Sequence, residues 1–358
     1  MKTIITITGI RPDFIRMSEI FKKLDENFNH VLIHTGQHYD NLLSDVFFKD
    51  LNIRKPNYNL NIGGEGKEHF HQLADLSVKL IELIRSENLN PDLILFLGDS
   101  NSVTSAISLK KEGYKIGHIE AGMRSGDKRM LEEINRIVCD QCSDLLFVYH
   151  KNYKTKLLKE NINPNNIFVV GNTIVETAVN INKTLTDDGI RDSQIILDIH
   201  RPENFKYKHR MENIIRYANA LAISYGLPIK MLDFKRTTDK LKEFDINTDG
   251  IEIVPLMSYG KYITNLKKCK FLFSDSGSAQ EEAAIFNIPV IVPRDYTERP
   301  ESVTNACSYM LNVNELLDSI SKLSSWIEIS KENMIVSWLG DGKTSDKIIE
   351  ILKEQLHD

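Results

Sequence analysis

Charged and hydroxyl side chains stand directly after short apolar runs at six places in this sequence: Gly9-Ile10-Arg11-Pro12-Asp13, Gly36-Gln37-His38, Gly98-Asp99-Ser100-Asn101-Ser102, Glu120-Ala121-Gly122, Asp198-Ile199-His200-Arg201-Pro202-Glu203-Asn204 and Asp275-Ser276-Gly277-Ser278. Unpaired charge is costly to withdraw from water, so groups like these do not face an apolar core without a partner. Asp99, Glu120 and Glu132 come from three separate loops and could converge on one substrate ring as acids, bases or charge partners. Arg11 and Arg16 lie five apart at the opening of a helical run, and arginine offers a planar fork to phosphate oxygens. The segment from Ser276 to Glu282 reads as a helix start, with Ser278 and Glu281 at capping-box spacing. Free amides at such an end bind anions, and Gly277 would let a phosphate approach the backbone. Each feature also has a plainer reading: an N-cap for Asp99, a helix-dipole partner for Glu132, a simple capped helix after Ser276.

The elements that must position these groups alternate between β-rich runs and longer helical-period segments, which is the pattern of a parallel sheet covered by helices. In the first half, strands are expected near Thr3–Thr8, His30–His34, Asp92–Leu97, Lys115–Ile119, Asp144–Val148 and Ile167–Val170. In the second half they are expected near Gln194–Ile199, Pro228–Leu232, Ile251–Val254, Lys270–Ser274, Pro289–Val292 and Tyr309–Asn312. Phe14, Met17, Ile20, Phe21 and Leu24 share one helix face. The fold class is therefore α/β, two Rossmann-like doubly wound domains facing a central cleft. The boundaries are 1–175, 176–340 and a C-terminal helix, 341–358, packing back toward the first domain. Ligands bind beyond the carboxyl ends of such strands, so the cleft is the expected site.

Composition excludes several classes. At 358 residues the chain is long enough for two domains, and with 41% hydrophobic and 27% charged residues it sits near the globular average. It has no run long and apolar enough to span a bilayer and no signal-peptide pattern, so a cytoplasmic protein without membrane contact is expected. Forty-five basic against fifty acidic residues give a net charge of −5, which offers no nucleic-acid surface. Four cysteines are too few for a disulfide framework and read as buried thiols. His34 with His38, or His69 with His71, lacks a third ligand at diagnostic spacing, so no metal is expected. No G-x-G-x-x-G occurs, which leaves a dinucleotide cofactor without support. Gly340-Asp-Gly-Lys-Thr344 fails the phosphate-loop spacing and reads as a loop before the last helix.

Taken in order, Gly9–Asp13, His34-Thr-Gly-Gln-His-Tyr-Asp40, Gly98-Asp99-Ser100, His118-Ile-Glu-Ala-Gly-Met-Arg-Ser125, Glu132-Glu-Ile-Asn-Arg136, Gly171-Asn-Thr173, His200–Asn204, Asp275–Glu282, Thr297-Glu-Arg-Pro-Glu301 and Gly340-Asp-Gly342 resemble the non-hydrolysing UDP-N-acetylglucosamine 2-epimerases. That family has two Rossmann-like domains arranged as in GT-B glycosyltransferases. The resemblance implies inversion at C2 of a UDP-linked 2-acetamido sugar, by elimination of UDP and re-addition, serving surface polysaccharide synthesis. It makes Asp99, Glu120 and Glu132 the acid–base carboxylates and His200 a contact to the diphosphate. Arg11 and Arg16 become basic substrate contacts, and Ser276, Gly277 and Ser278 hold phosphate. Glu282 takes the ribose hydroxyls, Arg299 completes the phosphate clamp, and Tyr262 falls near the uracil. It implies no cofactor, and relatives are often homodimers.

Leu131 stands where the family usually has Pro before Glu132, and Ser278 replaces a common Gly. Relatives in the wider family act on 6-deoxy or diacetamido-uronic UDP-sugars, and Ser278 resembles that group, so the sugar is left open between UDP-N-acetylglucosamine, the first expectation, and these classes. Tyr39-Asp40 does not match the residues some members use for a second, activating UDP-sugar. Three rivals share the nucleotide pocket: a GT-B glycosyltransferase, a hydrolysing epimerase that releases UDP and free sugar, and a catalytically silent UDP-sugar sensor. The three carboxylates favour epimerisation over transfer and over a silent sensor, and the hydrolysing reaction is distinguished by its products.

Overall fold

The run Leu93-Ile-Leu-Phe-Leu97 is buried at every position, as a central strand of a parallel sheet covered on both faces must be. The structure is a computed structural model and describes residues 1–36, 45–63, 68–315 and 318–357. Gln37, His38, Tyr39 and Asp40, on which the expectation about a second UDP-sugar rests, lie outside the described residues. The chain divides into two compact units, Met1–Val179 with Leu339–Asp358, and Asn180–Trp338.

The first unit holds β1 (Thr3–Thr8), β2 (Asn29–His34), β3 (Tyr58–Asn59), β4 (Leu93–Leu97), β5 (Ile116–Ile119), β6 (Leu145–Val148) and β7 (Ile167–Val169). They form one sheet in the order β3-β2-β1-β4-β5-β6-β7, and every pairing is parallel. Its core joins Ile5, Ile7, Ile94, Phe96 and Ile116 to Leu76 and Leu80 of the His69–Ser86 helix. Burying a side chain of this size contributes about 1.5–3 kcal/mol. The helix Arg11–Asn27 buries Phe14, Met17, Ile20, Phe21 and Leu24, the face its spacing predicts.

The C-terminal helix, Thr344–Gln355, belongs to this first unit. Glu176 accepts from the Ser345 amide at 2.9 Å and from its hydroxyl at 2.6 Å, which holds the start of the helix. Lys23 pairs with Asp346. Asn172 N–H donates to the Leu339 carbonyl at 2.9 Å. Gly340 has φ +93°, and a Cβ there would lie 2.9 Å from the Gly171 Cα, so the chain crosses where only glycine fits.

The second unit holds β8 (Gln194–Asp198), β9 (Ile229–Leu232), β10 (Ile251–Val254), β11 (Cys269–Ser274), β12 (Val290–Val292) and β13 (Ser308–Met310). Their order is β10-β9-β8-β11-β12-β13, again parallel throughout. Both sheets thus reverse direction of winding at one point, between β1 and β4 and between β8 and β11. At such a reversal the loops after the two strands splay apart and leave room for a ligand. Gly9–Asp13, Asp99, His200 and Ser276 all follow these four strands. Among the described helices none is long and apolar enough to cross a membrane.

Candidate active site

In the first unit the loops after β1, β4 and β5 meet around two buried arginines. Asp13, in the first turn of its helix, accepts from the Gly9 amide at 2.8 Å and the Ile10 amide at 3.1 Å. Burial raises its pKa to about 6, although Arg16 and these amides work the other way. Arg16, one turn on, pairs with Asp13 at 3.3 Å and closely with Glu120. Glu120 is fully buried, and both its oxygens are engaged: Arg136 donates to one at 3.1 Å, Arg16 and the Tyr149 hydroxyl to the other. Arg136 also pairs with Asp99.

Two features of this cluster follow from the backbone. Glu120 has φ +72°, a left-handed conformation that strains a residue with a Cβ. Its amide and that of Ala121 both donate to the Phe147 carbonyl, at 3.1 and 3.2 Å, which ends β5 and turns the side chain inward. Asn135 and Arg136 sit on the helix Leu131–Cys142, where Asn135 donates to the Asp99 carbonyl at 2.9 Å. Glu132, half-buried, is one turn earlier on that helix, the spacing that places it on the same face as Arg136.

Sequence reasoning gave Arg136 no role, although it closed a quoted motif. Only its spacing from Glu132 hinted at a shared face. Arg16, expected among the basic substrate contacts, is buried against two carboxylates. Arg11 is half-buried, with its guanidinium 5.3 Å from the centre of the Phe47 ring.

In the second unit Asp275, just after β11, organises the loop after β8. Its carboxylate accepts from the His200 amide at 3.0 Å, the Arg201 amide at 3.0 Å and the Asn204 side chain at 2.9 Å. The His200 ring donates through Nδ1 to Asp198 at 3.0 Å and lies 4.7 Å from the Phe234 ring. Burial disfavours the charged ring, but Asp198 and Asp275 more than reverse this and raise its pKa. Among the described residues Asp198, His200 and Asp275 are the one group close enough to share a metal ion. Their oxygens already accept from amides and from the Ser274 hydroxyl at 2.8 Å, so the cluster reads as a frame for the imidazole.

The helix after β11 spans Gly277–Ile285, with Ser276 at its N-cap. The expected capping box between Ser278 and Glu281 does not form. Glu281 instead accepts from Arg299 at 2.7 Å, a partner eighteen residues on, and Ser276 makes no side-chain cap. The Ser276 and Ser278 hydroxyls lie 3.4 Å apart. Gly277 also makes room for a side chain, because a Cβ there would lie 2.3 Å from the Arg299 guanidinium. Arg299 is almost wholly buried and pairs with Glu298 as well, at 2.9 Å. Tyr262 stacks with Tyr259 at 6.3 Å, and burial with neighbouring Glu282 pushes both phenols well above their ordinary pKa. Tyr262 and Glu282, assigned to uracil and ribose by resemblance, are therefore neighbours.

Acidic groups locked to arginines in one Rossmann-like unit, and a histidine beside a helix N-terminus in another, match what a nucleotide-sugar enzyme needs. A sequence profile of the family described as UDP-N-acetylglucosamine 2-epimerase matches residues 22–353. The chain belongs to that family. A UDP-N-acetylglucosamine 2-epimerase of Methanocaldococcus jannaschii is 34% identical, covering 97% of each chain. The UDP-2,3-diacetamido-2,3-dideoxy-D-glucuronate 2-epimerase of Pseudomonas aeruginosa is 30% identical over 98% of this chain and 99% of that one. The crystal structure of the M. jannaschii UDP-GlcNAc 2-epimerase in complex with UDP-GlcNAc and UDP superposes with a TM-score of 0.88 at 33% identity, covering 99% of this chain and 100% of that one.

Proposed function

We propose that the protein catalyses reversible C2 epimerisation of UDP-N-acetylglucosamine to UDP-N-acetylmannosamine. A base removes the C2 proton, the C–H electrons form a C1–C2 double bond, and the C1–O bond breaks with its pair leaving on UDP. Re-addition of UDP with a proton delivered to the opposite face of C2 gives the epimer. The observation that carries this reading is the joining of Asp99 and Glu120 through Arg136, beside the helix that bears Glu132. Glu132 is the most exposed of the three and suits proton exchange at C2. Asp99 and Glu120, each held by arginine, suit electrostatic stabilisation of charge developing on the ring.

The second unit would hold the nucleotide. The Ser276–Ala279 amides at the helix start, with His200 and Arg299, would receive the diphosphate, and Tyr262 and Glu282 the nucleoside. Gly277→Ala follows as a test of that half: the added methyl displaces Arg299, and UDP affinity is expected to fall roughly tenfold or more. Calorimetry with UDP measures it, and unchanged affinity contradicts the assignment.

The reaction itself is the test of the proposal. Incubated with UDP-N-acetylglucosamine, the protein should yield an interconverting pair of UDP-linked epimers. Stoichiometric UDP with free sugar would establish the hydrolysing rival, and transfer only to an added acceptor the glycosyltransferase. The diacetamido relative, which covers nearly the whole chain, favours one second reading. A UDP-diacetamidoglucuronate turned over faster than UDP-N-acetylglucosamine would establish it.

A further inference from the structure

Among the buried titratable groups left without a role, His118 lies nearest the proposed chemistry. It sits in β5, two residues before Glu120, and is completely enclosed. Its Nδ1 is 2.7 Å from Asp140 Oδ1, and its Nε2 is 2.8 Å from the Gly98 carbonyl oxygen. Both partners accept only. A neutral imidazole has one N–H, so it would point a lone pair at one of these oxygens. The second oxygen of Asp140 accepts from the Gly122 amide at 3.0 Å and from Arg124 at 2.7 Å, and Arg124 pairs at 2.7 Å with Glu160.

We propose that His118 is a positioning residue protonated at neutral pH, an imidazolium that fixes the Asp99 turn and the Glu120 loop to the helix carrying Glu132. The inference rests on the reading of those carboxylates given above. Gly98 precedes Asp99, Gly122 follows Glu120 by two residues, and Asp140 stands two turns beyond Glu132. One ring thereby ties all three carriers together. Charge counting agrees: with a cationic ring, His118, Asp140, Arg124 and Glu160 alternate in sign and sum to zero. With a neutral ring, a lone pair would face an accepting oxygen at full burial, which is costly.

The groups around the ring are Cys139 and Asp140 on the helix, with Arg136 one turn before them. Arg124 and Glu160 lie beyond Asp140, and Asp99 and Glu120 adjoin the two loops. Its cross-strand neighbours, Phe96 and Leu146, are apolar. Burial pulls the imidazole pKa down, but Cys139 and Asp140 reverse this and leave it well above the ordinary value. A raised folded pKa means the contribution is complete below the unfolded value and is lost as pH rises through the folded one. Loss of positioning therefore belongs on the alkaline side.

Nitrogen-15 NMR of the histidine-labelled protein, with the ring assigned by its absence in His118→Asn, is the direct test. Protons on both ring nitrogens at neutral pH are expected. A lone-pair nitrogen there overturns the proposal, whatever reaction the enzyme catalyses. The alkaline fall in kcat should track the ring's deprotonation, and Asp140→Asn should move both to lower pH. In His118→Gln, kcat is expected to drop roughly 10- to 100-fold, with UDP affinity unchanged. A kcat that stays flat while the ring titrates, or an equal loss of UDP affinity, contradicts a positioning role.

Discussion

Asp99→Asn, Glu120→Gln and Glu132→Gln are each expected to lower kcat by roughly 10²-fold or more, the range for groups that move protons or stabilise developing charge. Their effects on stability should separate them. Glu132 is half-buried at a helix start, so its amide costs the fold little. Glu120 is wholly enclosed with arginines on both oxygens, and a glutamine turns an N–H₂ toward one guanidinium that needs an acceptor. Breaking such a buried pair costs about 3–5 kcal/mol. Glu120→Gln should therefore lose both turnover and melting temperature, and Glu132→Gln turnover alone. Steady-state kinetics beside thermal unfolding reads the difference. Activity within a few fold of the parent in all three would remove the carboxylates from the reaction.

Arg136→Met is expected to lose at least as much stability as Glu120→Gln. The side chain is fully buried, and its guanidinium is the shared partner of Asp99 and Glu120. Methionine fills similar volume without charge, leaving Asp99 and Glu120 without the guanidinium they share, while Arg16 still pairs with Glu120. At about 3–5 kcal/mol for the lost pairing, the melting temperature of this unit should fall on the order of 10 °C. Like-charge repulsion then favours a protonated carboxylate, so the acid limb of kcat should move to higher pH. Arg136→Lys should recover part of the stability and less of the activity, since one ammonium cannot span both carboxylates as a planar fork does. A melting temperature unchanged in Arg136→Met would show that the pairing does not hold the cluster.

What the sequence made legible was local. Runs such as Leu93–Leu97 and Val290–Val292 declare themselves strands because both faces of a parallel sheet are covered. The polar residues after them then fall at the strand ends without further information. Tyr58–Asn59 was not legible, since two residues carry no period. The misreadings came from partners distant in the chain. Glu281 has capping-box spacing, but Arg299 takes its carboxylate. At Gly277 the sequence showed room for a ligand but not that the same arginine occupies the space a side chain would need. For Arg16 the sequence could not show its pairing with Glu120, more than a hundred residues on. Arg136 and His118 looked like ordinary helix and strand residues until the loops that surround them were assembled.

Proton NMR of the reaction in deuterated water tests the central claim most directly, because elimination and re-addition must exchange the C2 hydrogen with solvent. The account predicts that the C2 proton signal disappears from both UDP-linked epimers as they interconvert, and that Glu132→Gln slows this exchange together with turnover. Epimers formed with their C2 hydrogen retained would contradict it.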